Sequence, residues 1–351
     1  MKILIILILV LNGFIIPNGF VHKVTEDMSY VLDSLSIVEN FNGIILLAEP
    51  DSIIFFHSSG YADFEHNIHL NENSSFNIAS LTKQFTAAAI LLLEEHKQLS
   101  TNDTINEYLP DFKYSDQITI HQLLTHSSGL PNYNNFDDYS DYLKKSLSNI
   151  EVMEWIEQHE LNFTSGTDYE YSNSGYFILN CIIEEVSGLT YREFLMNHIF
   201  KNANMTSTDN YSSFEIIPNR ASRYLVDENR ILKPDWFNHS LKTGSASIFS
   251  TSNDLFSWYA NLTNNNVLND SSLSKMFTNH FDGYGYGVGK GDSDTLFFEH
   301  EGKIPGMNAY SAFFFDPDYY LLVWSNISDD NFWDLRDELR DTIINLIESY
   351  K

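Results

Sequence analysis

Cysteine is almost absent from this 351-residue chain, and basic residues are scarce. Cys181 is the single cysteine, so no intrachain disulfide can form and stability rests on packing. Its setting, Leu179-Asn180-Cys181-Ile182-Ile183, is apolar and helical in pattern, which suits a core filler better than a nucleophile. Twenty Lys and Arg stand against 48 Asp and Glu, a net charge of -28. Such a surface repels nucleic acid phosphates and anionic lipid headgroups, and it disfavours strongly anionic substrates. Long apolar runs are missing after the first residues, so no later segment predicts a membrane span. Repeats and low-complexity tracts are missing too. Neither His-Glu-x-x-His nor Gly-x-Ser-x-Gly occurs, which argues against a zinc hydrolase or an α/β-hydrolase. His66 and His69 stand in a polar loop, where solvated histidines are commoner than metal ligands. Several Asn-x-Ser/Thr triplets need no explanation beyond a composition rich in Asn and Ser.

Met1-Lys2 followed by apolar residues to Ile16 has the form of a secretory leader ending near Gly19; a retained anchor is the alternative. An exported protein, periplasmic or secreted, is therefore expected. Beyond it, residues 43–48 and 52–57 read as two strands around Glu49-Pro50-Asp51. A helix is expected from Ser80 to about Gln98, with Phe85, Ala88, Ala89, Leu92 and Leu93 at helical spacing. Further helices are expected over 148–159, 173–186, 191–200 and 252–262. Strands follow over 284–288, 295–299, 309–315 and 320–325, and an amphipathic helix closes the chain over 330–350. Strands at both ends with helices between predict an α+β fold, an antiparallel sheet assembled from the two termini. Its α/β part would take residues 30–98 and 242–351 of one domain (20–351), with a mainly helical lobe over 99–241 inserted.

Three local patterns carry chemistry. In Ser80-Leu81-Thr82-Lys83 the two functional groups sit three apart at a helix start and share a face. A lysine whose pKa is lowered by burial or charge can activate the serine, and the helix dipole favours a developing anion there. Ser272-Leu273-Ser274-Lys275 repeats the spacing in a polar stretch and reads as an ordinary helix. In Tyr171-Ser172-Asn173 the tyrosine, ionised more easily beside a lysine, can relay a proton, and the asparagine can hold a lysine or a substrate amide. Tyr259-Ala260-Asn261 reads as packing, and Tyr133 follows a Gly-Leu-Pro loop that could line a cleft. Finally, His300-Glu301-Gly302 puts a basic residue and a glycine at a strand end, where a backbone N–H can approach a substrate oxygen. Lys242-Thr243-Gly244 has a similar form but leads into a helix cap, and reads as a decoy.

In that order the three patterns resemble the serine β-lactamase and penicillin-binding-protein superfamily, and most closely its branch of class C β-lactamases, D-alanyl-D-alanine carboxypeptidases and related esterases. The resemblance extends to Leu123-Leu124-Thr125-His126-Ser127-Ser128-Gly129-Leu130-Pro131, to Ser250-Thr251-Ser252-Asn253-Asp254-Leu255, to Tyr284-Gly285-Tyr286-Gly287-Val288-Gly289 and to Gly302-Lys303-Ile304-Pro305-Gly306. It implies that Ser80 is the acylated nucleophile, Lys83 its base and Tyr171 the proton relay. Asn173 would contact Lys83 and the substrate amide, His300 would line the opposite wall, with Gly302 and Lys303 also binding substrate, and the N–H groups of Ser80 and Lys303 would form the oxyanion hole. No metal or cofactor is implied, and the partner is a small-molecule or peptide-like acyl substrate. Glu301 departs from the pattern, since relatives carry Gly, Ser or Thr there. A glutamate facing a substrate carboxylate would repel it unless strand alternation turns it away. It tilts the expectation toward an esterase, peptidase or amidase acting on uncharged or amine-bearing substrates. A true β-lactamase or D-alanyl-D-alanine carboxypeptidase fits the same motifs, as does a binding homologue that has lost turnover.

Overall fold

The structure is a computed structural model that describes residues 41–228, 230–329 and 331–349, with Lys23, Glu26, Asp27 and Tyr30 before them. The expected leader lies outside the described residues. Six strands build one antiparallel sheet: β1 (Gly43–Glu49), β2 (Ser52–Ser59), β3 (Gly289–Lys290), β4 (Phe297–Ile304), β5 (Met307–Phe314) and β6 (Tyr319–Ser325). Their spatial order is β2-β1-β6-β5-β4-β3, so the first and last strands of this sheet lie side by side in its interior, Ile45 opposite Val323. The sheet built from both termini is thus present.

β1 reads Gly-Ile-Ile-Leu-Leu-Ala and shows no polar alternation because both of its faces are covered. Ile44 and Leu46 pack into the large core of helices, while Ile45 and Leu47 pack under the C-terminal helix through Leu335, Leu339 and Ile343. That helix, Asn331–Ser349, lays its apolar stripe on the sheet and leaves its acidic side in water. On the other face runs α1 (Thr82–Glu95), buried at every position from Thr82 to Leu93. A helix apolar all round belongs inside, and here it carries Lys83 inside with it.

The other helices lie close to expectation. Ser148 closes a capping box with Glu151 at one N-terminus, and Gly188, at φ +68°, ends α2 (Asn173–Ser187) in the left-handed conformation. The helix over 191–200 finishes as a π turn from Met196 to Phe200.

Two strand expectations fail. Residues 284–288 form a loop: the Tyr-Gly-Tyr-Gly alternation imitates strand period, but the glycines serve close approach. Gly287 sits at φ +74°, and a Cβ there would lie 2.6 Å from the Lys83 carbonyl oxygen. β4 runs on to Ile304, so His300 stands mid-strand rather than at a strand end.

Gly287→Ala should therefore destabilise the protein by about 2 kcal/mol or more, from left-handed strain plus a backbone clash. Urea denaturation checks this; an unshifted midpoint would mean the loop does not press on α1.

Candidate active site

Ser80 owes its place to a short strand pair. Phe76–Asn77 pairs with Phe249–Ser250, and the Ile78 N–H bonds the Ile248 carbonyl at 3.0 Å. Ala79 then takes φ +47°, its N–H held by Asn77 Oδ1 at 2.8 Å. This uncommon backbone in a non-glycine residue lifts Ser80 to a half-buried lip between the wholly buried Ala79 and Leu81.

Lys83 lies one turn on, with no exposed surface. Its Nζ donates to Asn173 Oδ1 at 2.8 Å and the Ser245 carbonyl at 2.9 Å and lies 3.2 Å from Ser80 Oγ. All three oxygens are neutral, and none belongs to a carboxylate. Burial, with the charge of Lys242 added, holds the Lys83 amine well below the ordinary lysine pKa. A neutral amine has two N–H groups and a lone pair; with Asn173 and Ser245 taking the hydrogens, the lone pair is left for the Ser80 proton.

Tyr171 places its ring 4.8 Å from Lys83 Nζ and packs at a tilt against His126, 4.3 Å between centroids. Its buried hydroxyl stands beside Ser80 without a well-formed hydrogen bond. Burial raises the phenol above its usual pKa, partly offset by Ser80. The expectation that this tyrosine ionises easily is therefore corrected: burial, which disfavours the charged phenolate, outweighs the neighbouring lysine. His126, in the Leu-Leu-Thr-His segment, accepts the Ser172 N–H at 3.1 Å and so fixes the residue between Tyr171 and Asn173.

β4 forms the opposite wall. Gly302 faces the nucleophile turn, and a Cβ there would lie 2.9 Å from the Ile78 carbonyl oxygen and 3.0 Å from Ala79 Cβ. β3 covers only Phe298 and Glu299, leaving the edge beyond them without a neighbouring strand. The Phe297 carbonyl accepts from Gly291 on that edge, so two-residue alternation puts the Lys303 N–H on it too.

His300 is neutral rather than basic. Its Nδ1 lies 2.6 Å from the Glu301 carbonyl, which can only accept, so Nδ1 carries the hydrogen and Nε2 accepts from Tyr284 Oη at 2.8 Å. Burial is the main cause that pushes its pKa down to about 3.

Glu301 points away from the site. Its carboxylate pairs with Arg336 on the C-terminal helix, and the exposed Lys303 side chain shares that face. Register thus removes the reason for preferring uncharged or amine-bearing substrates.

The second Ser-x-x-Lys is explained by its partners: Lys275 Nζ pairs with Glu94 at 2.7 Å, not with Ser272. Tyr133 does not line a cleft. It is buried, its hydroxyl 2.8 Å from Ser245 Oγ. Tyr259 packs in the core against Tyr320.

Lys242-Thr243-Gly244 is off the edge strand, as expected, yet close to the chemistry. The Ser245 N–H and hydroxyl both bond the Lys242 carbonyl, so this turn presents the carbonyl that holds Lys83. Lys242 itself is buried; its Nζ donates to Asn134 Oδ1 at 3.1 Å and Tyr139 Oη at 2.5 Å. Burial brings its pKa down to about 7. Reading by triplets missed this residue, because its meaning lies in contacts more than 100 positions away.

With this geometry in place, comparison with known proteins decides the family. The family model described as Beta-lactamase matches residues 39–343. The chain belongs to the Beta-lactamase family. Among relatives, "Penicillin-binding protein 4*" of Bacillus subtilis (strain 168) is 30% identical over 331 residues, spanning 87% of this chain and 72% of that protein. A penicillin binding protein from Bacillus halodurans superposes with a TM-score of 0.76 at 25% identity, over 92% of this chain and 98% of that one. A D-amino acid amidase from Ochrobactrum anthropi SV3, complexed with L-phenylalanine amide, shares the fold with a TM-score of 0.80 at 23% identity, over 92% and 99%. As a member of the Beta-lactamase family the chain is a serine hydrolase. Among the described residues no helix is long and apolar enough to cross a membrane.

Two consequences concern pH. Activity should show no inflection near pH 6.5 from His300, since its imidazole stays neutral down to about 3; an inflection lost in His300→Gln would contradict this. Lys242, at about 7 when folded and 10.5 unfolded, binds more protons unfolded, so its contribution to stability rises with pH between those values. Lys242→Met should flatten that rise by up to about 1.4 kcal/mol per pH unit. Urea denaturation at pH 7.5 and 9.5 checks the slope; equal slopes in both proteins would refute the burial of this charge.

Proposed function

We propose that Ser80 is the acylated nucleophile of an esterase or peptidase/amidase, with Lys83 as its base and Tyr171 as the proton relay. The observation that carries this reading is the buried Lys83 amine, 3.2 Å from Ser80 Oγ, with no acid beside it to hold its proton.

As Ser80 Oγ bonds to the substrate carbonyl carbon, Lys83 Nζ takes the hydroxyl proton. The carbonyl oxygen becomes an oxyanion between the N–H groups of Ser80 and Lys303, preorganised donors that need not reorient. Lys83 returns the proton through the Tyr171 hydroxyl to the departing nitrogen or oxygen, and the carbon–leaving-group bond breaks. Water, deprotonated along the same path, attacks the acyl-Ser80 ester, and Ser80 recovers its proton. Asn173 holds Lys83 through its oxygen while its amide nitrogen donates to Asn132 Oδ1 at 3.2 Å, a bond a substrate carbonyl can replace. His300 offers a neutral wall, and Gly302 lets the edge strand come close.

A second reading, a penicillin-interacting D-alanyl-D-alanine carboxypeptidase or true β-lactamase, is favoured by the name of the 30% identical relative. Turning Glu301 away from the site supports it too, since a substrate carboxylate would meet no repulsion there. We infer also that the chain is exported, on the form of its first 19 residues.

Intact-mass analysis after a fluorophosphonate should show one adduct, absent in Ser80→Ala; no adduct on the wild-type protein favours a binding homologue. Lys83→Ala should lower ester turnover on the order of a thousandfold, within the range of a removed general base. Stable labelling by fluorescent penicillin, or nitrocefin turnover, would select the second reading.

A further inference from the structure

Beside the end of the edge strand lies a pocket of about 210 Å³, lined among others by Arg220, Arg223, Lys233, Trp236, Phe237 and His239. Four basic groups around one cavity are unexpected in a chain with 48 acids and 20 Lys and Arg. Their charges are mostly unanswered. Only Lys233 has an acid partner, Glu65. Arg223 bonds two backbone carbonyls, Pro305 at 2.8 Å and Asp235 at 3.2 Å, and lies over the Phe237 ring at 4.4 Å. The Arg220 side chain makes no ion pair or hydrogen bond among the described residues. Buried His239 Nδ1 has no partner either. Of the nearby acids, Asp63 contacts His66, and Asp209 and Glu215 pair with Arg192, while the exposed Asp235 forms no ion pair with either arginine.

The positive field leaves its mark on Arg223 and His239. Burial and then Arg220 lower Arg223 to about 10, and burial followed by Arg223, Arg220 and Lys242 pushes His239 down to about 3. Guanidinium groups that lack a carboxylate are the standing half of a bidentate pair. Exposed Trp236 and buried Phe237 add apolar wall beside them.

We propose that this pocket is a carboxylate-binding site for the anionic end of an otherwise apolar ligand. Its position suggests how such a group arrives. Arg223 holds the Pro305 carbonyl in the turn that follows β4, and Pro305 is three residues, about 10 Å, beyond Gly302 along the open edge. His239 precedes the turn, Ser240–Lys242, that leads to the Ser245 carbonyl under Lys83. An acyl arm laid along the edge from Ser80 reaches the two arginines after two or three residues. That route rests on the hydrolase reading; the binding does not. The acidic surface elsewhere then sharpens selectivity, since an anion finds one favourable place.

The test separates the two. Ser80→Ala protein is titrated calorimetrically with N-acetylphenylalaninate and with neutral N-acetylphenylalaninamide. The carboxylate should bind about tenfold more tightly or better, an advantage that shrinks with salt. Arg220→Gln with Arg223→Gln should erase it, and Arg220→Gln alone, which breaks no existing bond, should reduce it without unfolding. Equal binding of the two compounds, or an advantage that survives the double substitution, overturns the proposal. Turnover of the p-nitrophenyl monoester of glutarate against p-nitrophenyl butyrate by wild-type protein then names the source. A preference for the glutarate ester that Arg220→Gln removes assigns the anion to the acyl arm; no preference, with the carboxylate still bound, assigns it to a separate ligand. Cleavage of neither ester would count against the hydrolase reading alone.

Discussion

Everything in the site depends on one burial: an amine carried inside by a helix that is apolar on every side. A lysine so placed, given only neutral acceptors, relieves the cost of desolvation by losing its proton. Had a carboxylate stood near, the ammonium would have been stabilised and the base lost. The acceptors come from far apart in the chain. Asn173 opens α2, and the Ser245 carbonyl is presented by the turn that Lys242 begins. Lys242 adds a second buried amine whose charge, when it is protonated, acts in the same direction.

The same economy governs the groups around it. Tyr171 and His300 are both held neutral by burial, so the resting site carries little charge of either sign. The charges that develop during acylation, an ammonium on Lys83 and an oxyanion on the substrate, then form without a competing carboxylate beside them. The one carboxylate in the motif, Glu301, is turned out by strand alternation and bound to Arg336. On the edge strand, glycine at 302 brings backbone donors near Ser80, and on α1 glycine at 287 lets the closing loop press down.

Much of this was legible because it is local. Ser80 and Lys83 are one turn apart, Tyr171 and Asn173 flank a helix start, β1 announces itself by an unbroken apolar run and the C-terminal helix by its period. What could not be read depended on register or on distant contacts. Glu301 needed the strand's facing before its charge could be weighed. The loop 284–288 borrowed the alternation of a strand, and β4 outran its expected end because Gly302 and Lys303 are weak strand formers. Lys242 looked like a decoy because its role lies in what its turn offers Lys83, 162 positions away from Ser245. The arginine pocket is assembled from segments whose sequence shows only scattered basic residues in an acidic chain.

The central claim is that burial among neutral acceptors holds the Lys83 amine well below the ordinary lysine pKa. Carbon-13 NMR of protein labelled at lysine Cε, with the Lys83 resonance assigned by its loss in Lys83→Met, measures it directly. The account predicts a titration midpoint well below 10.5, with the amine deprotonated through the range where the surface lysines still carry charge. A midpoint at or above the ordinary lysine value would contradict it, because the nucleophile would then have no base.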